Sequence, residues 1–216
     1  MSSQNSNTSL FYECCRIVLD CFFDTFYGLS MSGSHNIPSS GSLILATNHT
    51  SFYDPPIVGI SSRRQLHYFA RDTLFKGLPG MIIRNLKGIP INRNAADIKS
   101  IKATLNALKN NGAIVIFPEG TRSADGKLQE PQAGIGMIAC KAKATVIPTR
   151  IFGTFEVFGR HQERPASAGA IHVSFGQPML PGDLDPGPAH PQRYLEVSRR
   201  IMKEIARLRS PQQVVV

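Results

Sequence analysis

Asn48-His49-Thr50-Ser51-Phe52-Tyr53-Asp54 sets an imidazole and a carboxylate five residues apart, between the apolar run Leu43-Ile44-Leu45-Ala46 and Pro55-Pro56. Taken singly, each residue has a plain structural reading. Asp before Pro signals the start of a helix, because Asp can cap free backbone N–H groups and Pro fits the first helical position. His49 alone is a polar residue at a strand end. Taken as a pair, they offer chemistry. A tight turn can fold the Asp54 carboxylate back onto the His49 ring, which fixes the tautomer and leaves the other ring nitrogen as a base. A His–Asp dyad without a protein nucleophile suits one kind of reaction, in which it takes a proton from a substrate hydroxyl whose oxygen then attacks an acyl carbonyl. Ser51 lies only two residues from His49, an awkward position for an in-line hydrogen bond, so a Ser–His nucleophile is the weaker reading.

A second stretch, Phe117-Pro118-Glu119-Gly120-Thr121-Arg122, follows the fully apolar run Ala113 to Phe117. A run of that kind reads as a buried strand of a parallel sheet, so the polar groups after it emerge at the sheet's end. Gly120 allows a tight turn or a close approach to a ligand, and a guanidinium such as that of Arg122 can grip a phosphate bidentately. The plain alternative is a surface turn in which Glu119 pairs with Arg122. Arg93 ends a short strand, where it is either a solvated charge or a second anion ligand.

Four blocks in order, Asn48–Asp54, Gly88-Ile89-Pro90-Ile91-Asn92-Arg93, Phe117–Ser123 and Val146-Ile147-Pro148-Thr149, resemble the glycerolipid acyltransferases. Within that family the resemblance is to the 1-acylglycerol-3-phosphate acyltransferases, and it covers most of residues 40 to 155. It implies His49 as general base and Asp54 as its orienter. It implies further that Arg93, Glu119, Gly120, Thr121 and Arg122 hold the glycerol-phosphate part of a lysophosphatidic acid acceptor. The expected reaction moves a fatty acyl group from acyl-CoA or acyl-acyl carrier protein to the sn-2 hydroxyl, forming phosphatidic acid. A thioester donor is already activated, so no cofactor, metal or covalent enzyme intermediate is expected. The rival readings are acyl transfer to another lysophospholipid or alcohol and, from a different class, a non-catalytic basic membrane-binding protein. One departure stands out: family members often carry a Lys near Gly134-Ile135, where this chain reads Glu130-Pro131-Gln132-Ala133. Substrate choice or affinity can differ there.

The elements that must position these residues read as one α/β domain. Strands are expected at 43–48, 66–70, 89–92, 113–117, 145–151 and 171–175, and helices at about 55–61, 95–110, 133–143 and 191–208. Ser32-Gly33-Ser34 and Pro38-Ser39-Ser40-Gly41 mark loops, and Met1 to Ser9 is polar enough to be disordered. The division is therefore residues 1–9, a helix within 10–31, and an acyltransferase domain over 32–216, with a mostly parallel sheet flanked by helices. In Leu10 to Leu29 the charges Glu13, Arg16, Asp20 and Asp24 fall on one narrow stripe at about 100° per residue. The remaining surface is apolar. That amphipathic pattern fits a helix lying in a membrane interface, peripheral or monotopic on the cytoplasmic side, although packing against the domain is the ordinary alternative.

The 216 residues carry 24 Lys and Arg against 15 Asp and Glu, a net charge of +9 that favours anionic partners. Among these, phosphate-bearing substrates, the acidic donor and a lipid surface fit. Nucleic acid does not, since the basic residues are dispersed and no recognition motif accompanies them. Cys14, Cys15, Cys21 and Cys140 show no metal-site spacing with the histidines, which points to reduced thiols and a metal-independent reaction. The first eight residues lack the positive charge of a secretory leader.

Overall fold

The computed structural model describes residues 10–91 and 98–211. The expected disorder of residues 1–9 falls outside them, as does Arg93. Seven strands form one sheet: β1 (Ser30–Ser32), β2 (Leu43–Thr47), β3 (Leu66–Arg71), β4 (Gly88–Ile91), β5 (Ala113–Ile116), β6 (Thr145–Phe152) and β7 (His172–Phe175). Their order is β1-β7-β6-β2-β5-β3-β4. From β6 across β2, β5 and β3 to β4 every pairing is parallel, and β7 is antiparallel to β6. The mostly parallel α/β sheet expected from the sequence is therefore present. One strand was not expected: β1 lies where the 10–31 segment passes into the loop expected at Ser32-Gly33-Ser34, and it pairs parallel to β7 as the outermost strand. Its register places Ser30 opposite His172, and the two hydroxyls of Ser30 and Ser32 lie 2.8 and 3.0 Å from the ring nitrogens of His172. A polar ladder of that kind leaves no hydrophobic signature.

Strand β2 sits at the centre, and every one of its residues is buried. Leu43 and Leu45 face one core with Phe23, Tyr27, Ile57 and Val58, whereas Ile44 and Ala46 face the other with Leu108, Ile135, Ile138, Val197 and Ile201. The first core is roofed by α1 (Leu10–Tyr27) and α2 (Asp54–Ser61), the second by α4 (Ile98–Lys109), α5 (Ala133–Ala142) and α8 (Arg193–Arg207). Helices on both faces explain why the strand sequences are continuous apolar runs instead of alternating ones. The other α-helices of the described residues are α3 (Gly77–Asn85), α6 (Thr154–Phe158) and α7 (Pro181–Leu184), with 3-10 turns at Ser34–Asn36 and Asp72–Phe75.

Helix α1 packs through Tyr12, Phe23 and Tyr27. Its opposite face leaves Leu10, Phe11, Ile17, Val18, Phe22 and Phe26 exposed. Glu13, Arg16 and Asp20 lie partly covered at its margin, with a Glu13–Arg16 ion pair at 2.9 Å. The helix is thus packed against the domain while these apolar side chains, with Asp24 beside them, remain exposed. No described helix is long and apolar enough to cross a membrane.

Candidate active site

Strand β2 delivers His49 from the sheet centre, and the turn after it delivers Asp54. The strand ladder continues beyond Thr47 through Asn48, whose side-chain oxygen accepts the Ile151 N–H at 2.8 Å while its amide donates to the Ile151 carbonyl at 3.0 Å. His49 therefore leaves the sheet in a fixed direction. Asp54 is the first residue of α2, with Pro55 and Pro56 in the first turn, but its carboxylate does not cap that helix. It turns back over the preceding loop instead. Its Oδ2 accepts the backbone N–H of Thr50 at 2.7 Å and of Ser51 at 2.8 Å, and lies 2.8 Å from His49 Nδ1. With four intervening residues the chain turns tightly enough for one carboxylate oxygen to reach both loop amides and the ring.

An acceptor-only carboxylate at Nδ1 places the proton on that nitrogen and leaves Nε2 with its lone pair. The His49 side chain keeps 14% of its surface exposed and Asp54 none. Nε2 has no hydrogen-bond partner among the described residues. The ring lies flat on Phe117, with centroids 4.0 Å apart. The opposite oxygen of Asp54 accepts the Thr154 hydroxyl at 2.7 Å, and the Thr50 hydroxyl lies 3.0 Å from Thr154 Oγ1. Thr154 opens α6, where Gly153 at φ 83° makes the turn from β6; a Cβ there would meet the Ala170 carbonyl at 1.9 Å. Ser51 is bound away from the imidazole: its hydroxyl donates to the Phe158 carbonyl at 2.7 Å and accepts the Tyr53 N–H at 3.0 Å.

The Phe117–Arg122 loop leaves β5 beside β2, as the register of the two strands dictates. Glu119 points inward and is only 3% exposed. Its two oxygens accept the backbone N–H groups of His49 at 2.9 Å and Gln129 at 3.1 Å. Burial, with the nearby Asp54 charge adding to it, pushes its carboxyl up to about 7 despite these two bonds. The His49 carbonyl in turn accepts the Ser123 N–H at 2.8 Å, so the loop clamps the His49 backbone from both sides. Gly120 makes the bend at φ 72°, a conformation that Gly adopts without strain. Gly120 and Thr121 lie exposed at the rim. The Arg122 guanidinium carbon stands 3.5 Å from the centroid of the Phe52 ring, a stacked cation–π contact.

His49 and Asp54 are thus brought into contact, and Glu119 to Arg122 stand on the adjoining loop. The structure adds Thr154, Asn48, Phe52 and Phe117 around them. Spacing in the sequence gives no access to Thr154, which meets Asp54 across 100 positions. Phe52 lies between His49 and Asp54 in the chain, but an aromatic there carries no hint of a cation on its face. Among the described residues no cluster of His, Cys, Asp or Glu has the makings of a metal site.

The acyltransferase family profile matches residues 28–152, more than half of the chain and the whole of this site except Thr154. The chain belongs to the acyltransferase family. Acyltransferase relatives include a chloroplastic 1-acyl-sn-glycerol-3-phosphate acyltransferase of Brassica napus, 28% identical over 165 residues that make up 74% of this chain and 47% of that protein. A 1-acyl-sn-glycerol-3-phosphate acyltransferase of Bacillus subtilis is 28% identical over 179 residues, covering 80% of this chain and 84% of the other. The chain thus spans about half the length of the plant relative and most of the bacterial one. The crystal structure of a 1-acyl-sn-glycerophosphate acyltransferase from Thermotoga maritima superposes with a TM-score of 0.77, covering 97% of this chain and 86% of that one at 22% identity. That likeness establishes a common fold.

Proposed function

We propose that this acyltransferase family member moves a fatty acyl group from an acyl thioester to the sn-2 hydroxyl of 1-acylglycerol 3-phosphate, producing phosphatidic acid. The observation that carries the reading is the open Nε2 of His49 opposite an Nδ1 locked on Asp54, one loop away from Arg122. The names of the Brassica and Bacillus relatives agree with it. In the proposed step Nε2 takes the proton of the sn-2 hydroxyl as its oxygen attacks the thioester carbonyl. The C–S bond then breaks, and the thiolate leaves with a proton returned from the imidazolium. Arg122, with Gly120 and Thr121 at the rim, receives the acceptor's phosphate, and Arg93 is given the same role from its motif position alone. Glu119, whose oxygens are engaged by backbone amides, serves that loop by holding it against His49. The co-substrate is acyl-CoA or acyl-acyl carrier protein, with no further cofactor.

The protein is proposed to work at a membrane surface on its cytoplasmic side, lying on it through α1. Each of the six exposed Leu, Ile, Val and Phe side chains would gain up to roughly 1.5–3 kcal/mol on burial, in proportion to the 36–81% of its surface that is exposed. The stretch 10–31 thereby becomes the membrane-associating element and the residues after it the catalytic domain. The reaction is tested by mixing the protein with acyl-CoA and lysophosphatidic acid, following free thiol and identifying the lipid product by mass spectrometry. Phosphatidic acid formed in step with thiol supports the proposal. Absence of product with both acyl-CoA and acyl-acyl carrier protein, while another lysolipid or alcohol is acylated, would refute the assigned acceptor.

A further inference from the structure

The connection that follows α6 holds a cation that neither the motifs nor the family profile includes. Gly159 forms an isolated antiparallel bridge with Ser51, and the Ser51 hydroxyl holds the Phe158 carbonyl, so residues 158–160 are strapped alongside Ser51-Phe52. Phe158 also packs on Phe52 with ring centroids 5.0 Å apart. From this strap the Arg160 side chain reaches the Phe117–Arg122 loop, where its Nη1 donates to the Arg122 carbonyl at 3.2 Å. Arg160 is exposed and forms no ion pair with an acid among the described residues. One of the five donors of a guanidinium is thereby fixed on a neutral carbonyl, and the rest of the fork is held at the loop that carries Arg122. Arg122 lies on the half-exposed Phe52, so two cations from distant parts of the chain converge on one rim. Two guanidinium groups presented at one rim suit a dianion such as a phosphate monoester, which can accept hydrogen bonds from both.

We infer that Arg160 is a second phosphate ligand of the acceptor site, and that Phe52 is the platform that orients Arg122 for the same phosphate. The inference rests on the acceptor reading above and extends it to Arg160, outside its motifs, and to Phe52, a motif residue to which that reading gives no role.

The probe is glycerol 3-phosphate, the acceptor's head without its acyl chain, titrated calorimetrically into wild type, Arg160→Gln, Arg160→Lys, Phe52→Leu and, as an exposed neighbour outside the site, Arg164→Gln. Loss of one charge-assisted contact predicts about tenfold weaker binding in Arg160→Gln, partial recovery in Arg160→Lys and wild-type binding in Arg164→Gln. Phe52→Leu should also weaken binding while leaving the fold intact by circular dichroism. In turnover, Arg160→Gln should raise KM for lysophosphatidic acid about tenfold with kcat within about twofold. Unchanged binding in Arg160→Gln overturns the inference, as does wild type that binds no glycerol 3-phosphate. A fall in kcat with unchanged KM also overturns it, since that would make Arg160 a strut for the loop. Glycerol 3-phosphate binding that depends on Arg160, without any acyl transfer to lysophosphatidic acid, would uphold this site and reject the proposed reaction.

Discussion

The two halves of the site are built differently. Around His49 and Asp54 every polar atom of the support is spoken for: two backbone amides and one hydroxyl on Asp54, two backbone bonds on the His49 main chain, and a ring stacked beneath the imidazole. At the rim, Gly120, Thr121 and Arg160 are exposed, and Arg122 is steadied by an aromatic face. Buried, fully satisfied networks over-determine geometry, and a general base needs its lone pair aimed within narrow limits. A phosphate can be gripped by long, adaptable cationic side chains whose heads remain near water. The difference teaches that damage to the first half should appear in kcat and damage to the second in KM.

That separation can be broken by substitution. The largest effect expected is from Asp54→Asn, which sets an amide group against two backbone N–H donors and releases the His49 tautomer; kcat should fall by about a hundredfold or more. Steady-state kinetics at saturating acceptor checks it, and a loss confined to KM would contradict the division. Next is Arg122→Lys, which keeps the charge but loses the planar fork and its stacking on Phe52. KM for lysophosphatidic acid should rise by about tenfold or more with kcat little changed. Thr154→Val preserves shape but leaves one oxygen of Asp54 without its hydroxyl. A cost of about 1–2 kcal/mol corresponds to a kcat loss of roughly tenfold, with KM unaffected. The smallest effect sharpens the comparison through pH. Because burial raises the Glu119 carboxyl from 4.5 to about 7, the folded protein binds this proton more tightly than the unfolded chain. Its contribution to stability is therefore full below about 4.5 and is lost as pH rises to about 7. Over that window wild type should lose melting temperature relative to Glu119→Gln, and parallel pH profiles would contradict the upward shift of the Glu119 carboxyl.

How much of this was open to the sequence depends on the range of each contact. The His49–Asp54 pair was legible because both residues lie on one turn, and the sheet was legible because buried parallel strands are plain apolar runs. Thr154 and Arg160 were not, since they arrive from α6 and beyond through contacts about 40 to 100 positions long. Strand β1 was hidden by its Ser-rich composition. The first and last helices mark another limit. Helix α8 turns Val197, Ile201, Met202 and Ile205 into the core as its periodicity suggests, while α1 keeps a broad apolar face outward. Periodicity identifies a face, but which medium meets it depends on how the helix is docked. Glu119 teaches the same lesson for charge: its place in the motif gives no sign that both of its oxygens accept backbone amides.

The central claim is that His49 Nε2 is the base for acyl transfer. Its most direct test is acceptor-dependent thiol release by His49→Ala, at matched folding shown by circular dichroism and melting temperature, against wild type with the same acyl donor and lysophosphatidic acid. Removal of a positioned general base should lower kcat by about a hundredfold to ten-thousandfold, with acceptor binding retained. A folded His49→Ala protein that turns over at the wild-type rate would contradict the account.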